Sequence, residues 1–152
     1  MAKINSKCPL FDGINQDGKT FKIKDHLGKK PIVIFFYPKD YTPGCTAEAC
    51  SFRDNYKEFE IFNCLVIGIS SDKYKTHRHF KEKYNLPFTL ISDPKKTIRK
   101  LFKVPNTLFG LMPGRVSYVI DKNGIIKGVF NSQFNPLSHI SNTINCLKEN
   151  LT

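Results

Sequence analysis

An α/β fold, with a central mixed β-sheet flanked by helices and a β-hairpin at the N-terminus, is what this sequence predicts. Three observations carry that expectation. Residues 32–37 and 65–69 are continuous apolar runs of strand length, the pattern of strands covered on both faces. Between them Ala49, Phe52, Tyr56 and Phe59 recur at helical spacing. Late in the chain, Lys122-Asn123-Gly124 is a hairpin signal flanked by two apolar segments, 115–121 and 125–130.

The elements follow in order. Residues 9–25 read as a hairpin, with Asn15-Gln16-Asp17-Gly18 as its turn and Phe21 and Ile23 alternating after it. Strand 32–37 leads into a loop, 38–44, that holds two Pro and one Gly. A helix is expected over 45–62, then strand 65–69, then a basic surface helix over 74–84. A short strand, 88–91, ends before the Asp93-Pro94 break, and Ile98, Leu101 and Phe102 mark a further helix. After the 115–130 hairpin, Asn135 can cap a last helix with Pro136 at its first position. Leu137, Ile140, Ile144, Leu147 and Leu151 form its apolar stripe. A parallel βαβ unit followed by a ββα unit is the thioredoxin-like arrangement. No repeat or linker interrupts residues 1–152, so one domain is expected.

Composition narrows the function classes. The 40% hydrophobic and 24% charged residues describe an ordinary globular chain, and thirteen Phe supply a sizeable core. No apolar run reaches the roughly 18 residues of a membrane helix, so no membrane partner is expected. Residues 1–5 lack the apolar stretch of a signal peptide. The expected compartment is therefore the cytoplasm, with a plastid or other organelle as the alternative for a processed or organelle-encoded form. The net charge of +11 raises nucleic acid as a partner, but the Lys are spread along the chain rather than gathered in a tract. A solvated basic surface is the plainer account.

The five Cys are odd in number and irregularly spaced, unlike a secreted disulfide scaffold. Cys45 stands apart, because the loop 38–44 delivers it into the first turn of a helix. The free N–H groups and the dipole there favour an anion, and the thiolate is the reactive form of cysteine. Cys50 lies five residues on, a separation of about 8.7 Å between Cα atoms on a regular helix. A disulfide wants less than about 7 Å. The two can pair only if the first turns unwind; otherwise Cys50 is a packed thiol. Cys8, Cys64 and Cys146 read as structural thiols. A metal site from Cys45, Cys50, His77 and His79 lacks the spacing of a zinc-type pair. His77 and His79 lie in the Lys-rich helix and are expected to face solvent, and His26 and His139 carry no readable signal.

The stretch 36–54, with Pro38, Thr42 and Cys45 at offsets of 4 and 3 and a second Cys five residues on, resembles peroxiredoxins of the Q type, also called bacterioferritin comigratory proteins. The likeness continues through Val66-Ile67-Gly68-Ile69-Ser70, Tyr84-Asn85-Leu86-Pro87-Phe88, Leu108-Phe109-Gly110 and Pro113-Gly114-Arg115. The resemblance implies a thioredoxin-like thiol peroxidase with Cys45 as peroxidatic cysteine and Cys50 as resolving cysteine. It implies that Thr42 accepts from the peroxide and bonds the thiolate, that Pro38 shields the thiolate, and that Arg115 is the active-site arginine. Glu48 falls where relatives often carry Glu or Gln. No metal or organic cofactor is implied. The implied partners are a hydroperoxide and a thioredoxin-like dithiol, and the implied state is a monomer.

The residues themselves agree on Arg115. Strand 115–121 is expected antiparallel beside strand 32–37, which brings Arg115 to the end where the Cys45 helix begins. A guanidinium there stabilises a thiolate and the charge that develops on a peroxide oxygen. Two other classes fit less well. A dithiol oxidoreductase usually separates its cysteines by two residues, whereas four intervene here, and it would leave Thr42 and Arg115 without purpose; a binding protein for nucleic acid on a peroxidase scaffold would show salt-dependent retention on DNA.

Overall fold

The computed structural model describes residues 1–107, 112–133 and 135–150. Leu108, Phe109 and Gly110 of the resemblance, and Leu151 of the last helix's stripe, lie outside them.

The N-terminal hairpin is β1 (Asp12–Asn15) and β2 (Thr20–Lys22). Asn15 Oδ1 accepts the N–H groups of Asp17 and Lys19, and Gly18 takes the positive φ of 77° that closes the turn. The central strands are β3 (Ile32–Phe36), β4 (Leu65–Ser70) and β5 (Thr89–Ser92), with parallel pairing of β4 to both neighbours. β8 (Val116–Ile120) runs antiparallel beside β3, and β9 (Ile126–Asn131) beside β8. The seven strands are ordered β2-β1-β5-β4-β3-β8-β9. A two-stranded ribbon, β6 (Asn106–Thr107) and β7 (Met112–Pro113), was not expected from the sequence.

Side chains of β3 alternate between two apolar layers, which is why its sequence is apolar throughout. Val33 and Phe35 point into one layer with Phe52, Phe59, Phe80, Ile144 and Leu147. Ile32, Ile34 and Phe36 point into the other with Phe11, Ile98 and Phe102. The helices α1 (Pro43–Asp54), α2 (Tyr56–Ile61), α3 (Tyr74–Tyr84) and α5 (Ser138–Asn150) contribute to the first layer, and α4 (Thr97–Leu101) to the second.

Three expectations are corrected. The helix expected over 45–62 starts at Pro43 and is broken at Asn55, whose side-chain amide donates to the Ser51 carbonyl at 2.8 Å. The last helix starts at Ser138: its N–H and hydroxyl both bond the Asn135 carbonyl in a preceding turn, and Leu137 is left 54% exposed. His77 does not face solvent. It lies three residues before Phe80 on the face of α3 that meets the sheet, and both are fully buried.

Candidate active site

The chain leaves β3 at Phe36 and must reverse within a few residues to start α1. Thr42, in extended conformation, is the residue before the helix, Pro43 is the first helical residue, and Cys45 is the third. Thr46 N–H is the donor that first closes a turn, onto the Thr42 carbonyl at 2.8 Å. The N–H groups ahead of it have no partner within the helix and face whatever occupies the helix start.

Cys45 is 1% exposed, and Arg115 Nη2 donates to its Sγ at 3.3 Å. The same guanidinium donates through Nη1 to Glu48 Oε1 at 2.8 Å and through Nε to the Gln133 carbonyl at 3.3 Å. Arg115 directly precedes β8, and the register Phe36↔Val116 places it at the mouth of the loop that leads to Cys45. Two glycines allow close approaches here, Gly44 to Arg115 and Gly114 to Pro105. A Cβ on Gly44 would lie 3.2 Å from Arg115 Nη2, and one on Gly114 would lie 2.1 Å from the Pro105 carbonyl oxygen.

A second buried guanidinium stands nearby. Arg99 donates to the carbonyls of Gly114 at 3.0 Å and Tyr37 at 3.3 Å, tying the Arg115 segment to the end of β3. Burial lowers its pKa, while Asp93 and Cys45 pull it up. Arg115 is also penalised by burial, but Glu48 and Cys45 outweigh the penalty and hold its pKa above the ordinary value.

Glu48 is fully buried one turn after Cys45. Burial pushes its carboxyl up to about 8, against the pull of Arg115. The two partners thus lean opposite ways: Arg115 favours the charged pair, and burial of Glu48 favours the neutral acid. The carboxyl carries the heavier penalty, because its Oε2 has no hydrogen-bond partner among the described residues. His139 Nδ1 lies 3.8 Å from that oxygen, but is engaged with the Ser117 hydroxyl at 2.8 Å. His139 Nε2 donates to the Ser132 carbonyl at 3.0 Å, and burial holds the imidazole below its usual range.

The structure brings Cys45, Glu48 and Arg115 into direct contact. Pro38 is buried in the loop that leads from β3 to α1. The Thr42 hydroxyl donates to the Lys39 carbonyl at 2.9 Å, so its proton is directed there rather than at the thiolate; its lone pairs stay free to accept. All five cysteines are free thiols; Cys50, on α1, is half-buried, and the other four are buried. Burial pushes the thiols of Cys8 and Cys64 up to about 12 and raises that of Cys146. Sequence reasoning missed Arg99, His139 and Ser117. An Arg on a short helix and a lone His carry no pattern, and only the preceding Asp93, which caps α4 through the N–H groups of Ile98 and Arg99, hinted at an ordered site.

A cysteine at a helix start, faced by a buried guanidinium on a thioredoxin-like sheet, defines a thiol-based redox enzyme. The comparisons agree. The AhpC/TSA family model matches residues 4–129. A chloroplastic peroxiredoxin Q of Suaeda salsa is 47% identical over 150 residues, covering 97% of this chain and 70% of that protein. That of Oryza sativa subsp. japonica is 47% identical over 143 residues, covering 94% of this chain and 65% of its own length. The crystal structure of peroxidoxin BcpB from Mycobacterium tuberculosis superposes with a TM-score of 0.91 at 31% identity, with 100% of both chains covered. This chain belongs to the AhpC/TSA family, among the peroxiredoxins, which are thiol-dependent peroxidases.

Proposed function

We propose that Cys45 is the peroxidatic cysteine of a hydroperoxide reductase and Cys50 its resolving partner. The observation that carries this reading is the 3.3 Å contact from Arg115 to the sulfur of a cysteine at a helix start. The Cys45 thiolate attacks the terminal oxygen of hydrogen peroxide or an organic hydroperoxide. The O–O bond breaks, Cys45 becomes a sulfenic acid, and the leaving oxygen takes up a proton to depart as water or alcohol. Arg115 and the N–H groups at the start of α1 stabilise the charge that moves onto the leaving oxygen. Thr42 accepts a hydrogen bond from the peroxide, and Pro38 keeps water from the thiolate. The first turns of α1 then unwind, the Cys50 thiol displaces water from the sulfenic acid, and a disulfide forms.

A thioredoxin-like dithiol restores both thiols, and the cycle serves antioxidant defence. We place the whole cycle in one domain, since the seven-stranded sheet takes strands from both ends of the chain, and in a monomer, since Cys45 and Cys50 lie on the same helix and need no second copy to pair. Among the described residues no helix is long and apolar enough to cross a membrane. The chloroplastic names of the plant relatives favour a plastid over the cytoplasm.

The test is to mix reduced protein with one equivalent of hydrogen peroxide and map the thiols by mass spectrometry, with Cys45→Ser and Cys50→Ser alongside. A Cys45–Cys50 disulfide in the parent and a Cys45 sulfenic acid in Cys50→Ser support the reading. A disulfide from Cys45 to Cys8, Cys64 or Cys146 reassigns the resolving residue. A Cys45 that stays reduced while peroxide persists overturns the peroxidase chemistry.

A further inference from the structure

The loop between β3 and α1 contains an acid where solvent exposure is the norm, yet the Asp40 side chain is fully buried. Its Oδ1 accepts from the Tyr37 hydroxyl at 2.5 Å and its Oδ2 from His77 Nδ1 at 2.6 Å. The other His77 nitrogen meets the Ile91 carbonyl at 3.2 Å, so both ring nitrogens face acceptors. Asp40 N–H donates to Asp72 Oδ2 at 2.8 Å, and that oxygen also accepts from the Ser70 hydroxyl at 2.6 Å. One loop residue is thus gripped from the end of β3, from α3 and from the end of β4. Asp40, Asp72 and His77 have ligand atoms near enough for a metal ion, but these bonds already use them.

The next residue, Tyr41, has φ of +68°, a conformation that L side chains rarely adopt. Its ring is seated on α3 as well, 5.1 Å from Phe80 and 6.5 Å from Tyr84. Strain of this kind persists only where the surroundings hold it. Thr42 and Cys45 follow immediately, and the same segment must let go before Cys45 can reach Cys50.

We propose that Tyr37, Asp40 and His77 form a buried latch that holds the peroxide-binding loop in its wound form and thereby sets the rate at which oxidised Cys45 is released to Cys50. They are positioning residues, and the inference rests on the function proposed above. Loosening the latch has opposite effects on the two steps. The peroxide step slows, because Thr42 and Cys45 are less well placed. Disulfide formation quickens, because less must be broken to unwind α1. A protein that was merely destabilised would not show this split.

The two steps are read separately by stopped-flow fluorescence and quenched mass spectrometry on reduced full-length protein, for Tyr37→Phe, Asp40→Asn, His77→Leu and His77→Gln. Loss of one buried hydrogen bond in Tyr37→Phe is expected to speed disulfide formation about fivefold. His77→Leu is expected to exceed this, and His77→Gln, which can still donate to Asp40, to fall back toward the parent. The share of Cys45 driven to sulfinic acid by excess peroxide falls in the same order. Equal slowing of both steps, or disulfide formation no faster than in the parent, overturns the latch. Should Asp40→Asn fail to fold, Tyr37→Phe, which removes a single oxygen, still decides the matter. A parent in which Cys45 is never oxidised would instead sink the peroxidase reading, so the two failures are distinct.

Discussion

Two buried carboxylates flank the start of α1, and they are finished differently. Asp40, on the α3 side, has a partner on each oxygen, Tyr37 on one and His77 on the other. Glu48, on the α5 side, has Arg115 on Oε1, whereas Oε2 has no hydrogen-bond partner among the described residues and meets His139 Nδ1 only at 3.8 Å. An unpaired buried acceptor costs about 1–3 kcal/mol. The closed cluster fixes geometry, because none of its groups gains by moving. The open one leaves a carboxyl whose charge can change, in contact with the guanidinium that touches the Cys45 sulfur. Tyr37, held well above the usual phenol range by burial and by Asp40, remains a neutral donor and adds nothing that titrates near neutrality.

The contrast breaks most visibly at Arg115. Arg115→Met is expected to lower the second-order rate constant with hydrogen peroxide by about 10²–10³-fold, the cost of removing a preorganised charge donor. It also strands Glu48, so stability should fall by about 3 kcal/mol in denaturant titration at pH above 8, where Glu48 is ionised in the parent. Adding Glu48→Gln should restore much of the stability and none of the rate. Recovery of the rate would mean that Arg115 acts through Glu48 rather than on sulfur.

A smaller effect sharpens the assignment of the open cluster. Glu48 holds its proton up to about 8 in the folded protein, against an ordinary value of 4.5. Between those values the unfolded chain has lost a proton that the folded one keeps, so stability falls as pH rises through this window. The slope approaches about 1.4 kcal/mol per pH unit from this group. Below 4.5 the contribution is fully present, and above about 8 no further loss accrues. Thermal unfolding of the parent and of Glu48→Gln across pH 5–8 checks it: the difference between the curves should carry this slope, and parallel curves would show that Glu48 is ionised throughout.

The smallest effect belongs to the remaining cysteines. Cys8→Ser, Cys64→Ala and Cys146→Ser are each expected to change the peroxide rate by less than about twofold, since their thiols are buried and raised well above neutrality. Alkylation of the native protein at pH 7 should label Cys45 and Cys50 first. Fast labelling of Cys64 would contradict the burial that raises its thiol.

Much of this was legible in the chain itself. The apolar runs of β3 and β4 announced strands covered on both faces, since alternation vanishes only when both sides are dry. The position of Cys45 followed from a strand, a Pro-containing loop and a helical period in succession. Arg115 was implied by the family resemblance, and the antiparallel pairing of β8 with β3, which fixes which ends meet, agrees with it. His77 was misread because its neighbours in α3 are Lys and Arg, and a helix dominated by cations looks solvated on every face. The break at Asn55 was missed because a side-chain bond to Ser51 leaves no trace in hydrophobic spacing.

The sequence by itself determined the order of elements, the strands that must be buried and the cysteine that a helix start would favour as an anion. These are local properties, set by period, turn chemistry and the dipole of one helix. Only the tertiary structure decided which charges meet. Arg115 reaches Glu48 across 67 residues and Cys45 across 70, and His77 reaches Asp40 across 37. No periodicity spans such distances. Contacts of this kind exist only once the sheet has brought the ends of β3, β4 and β8 together and excluded the water that would otherwise satisfy each group separately.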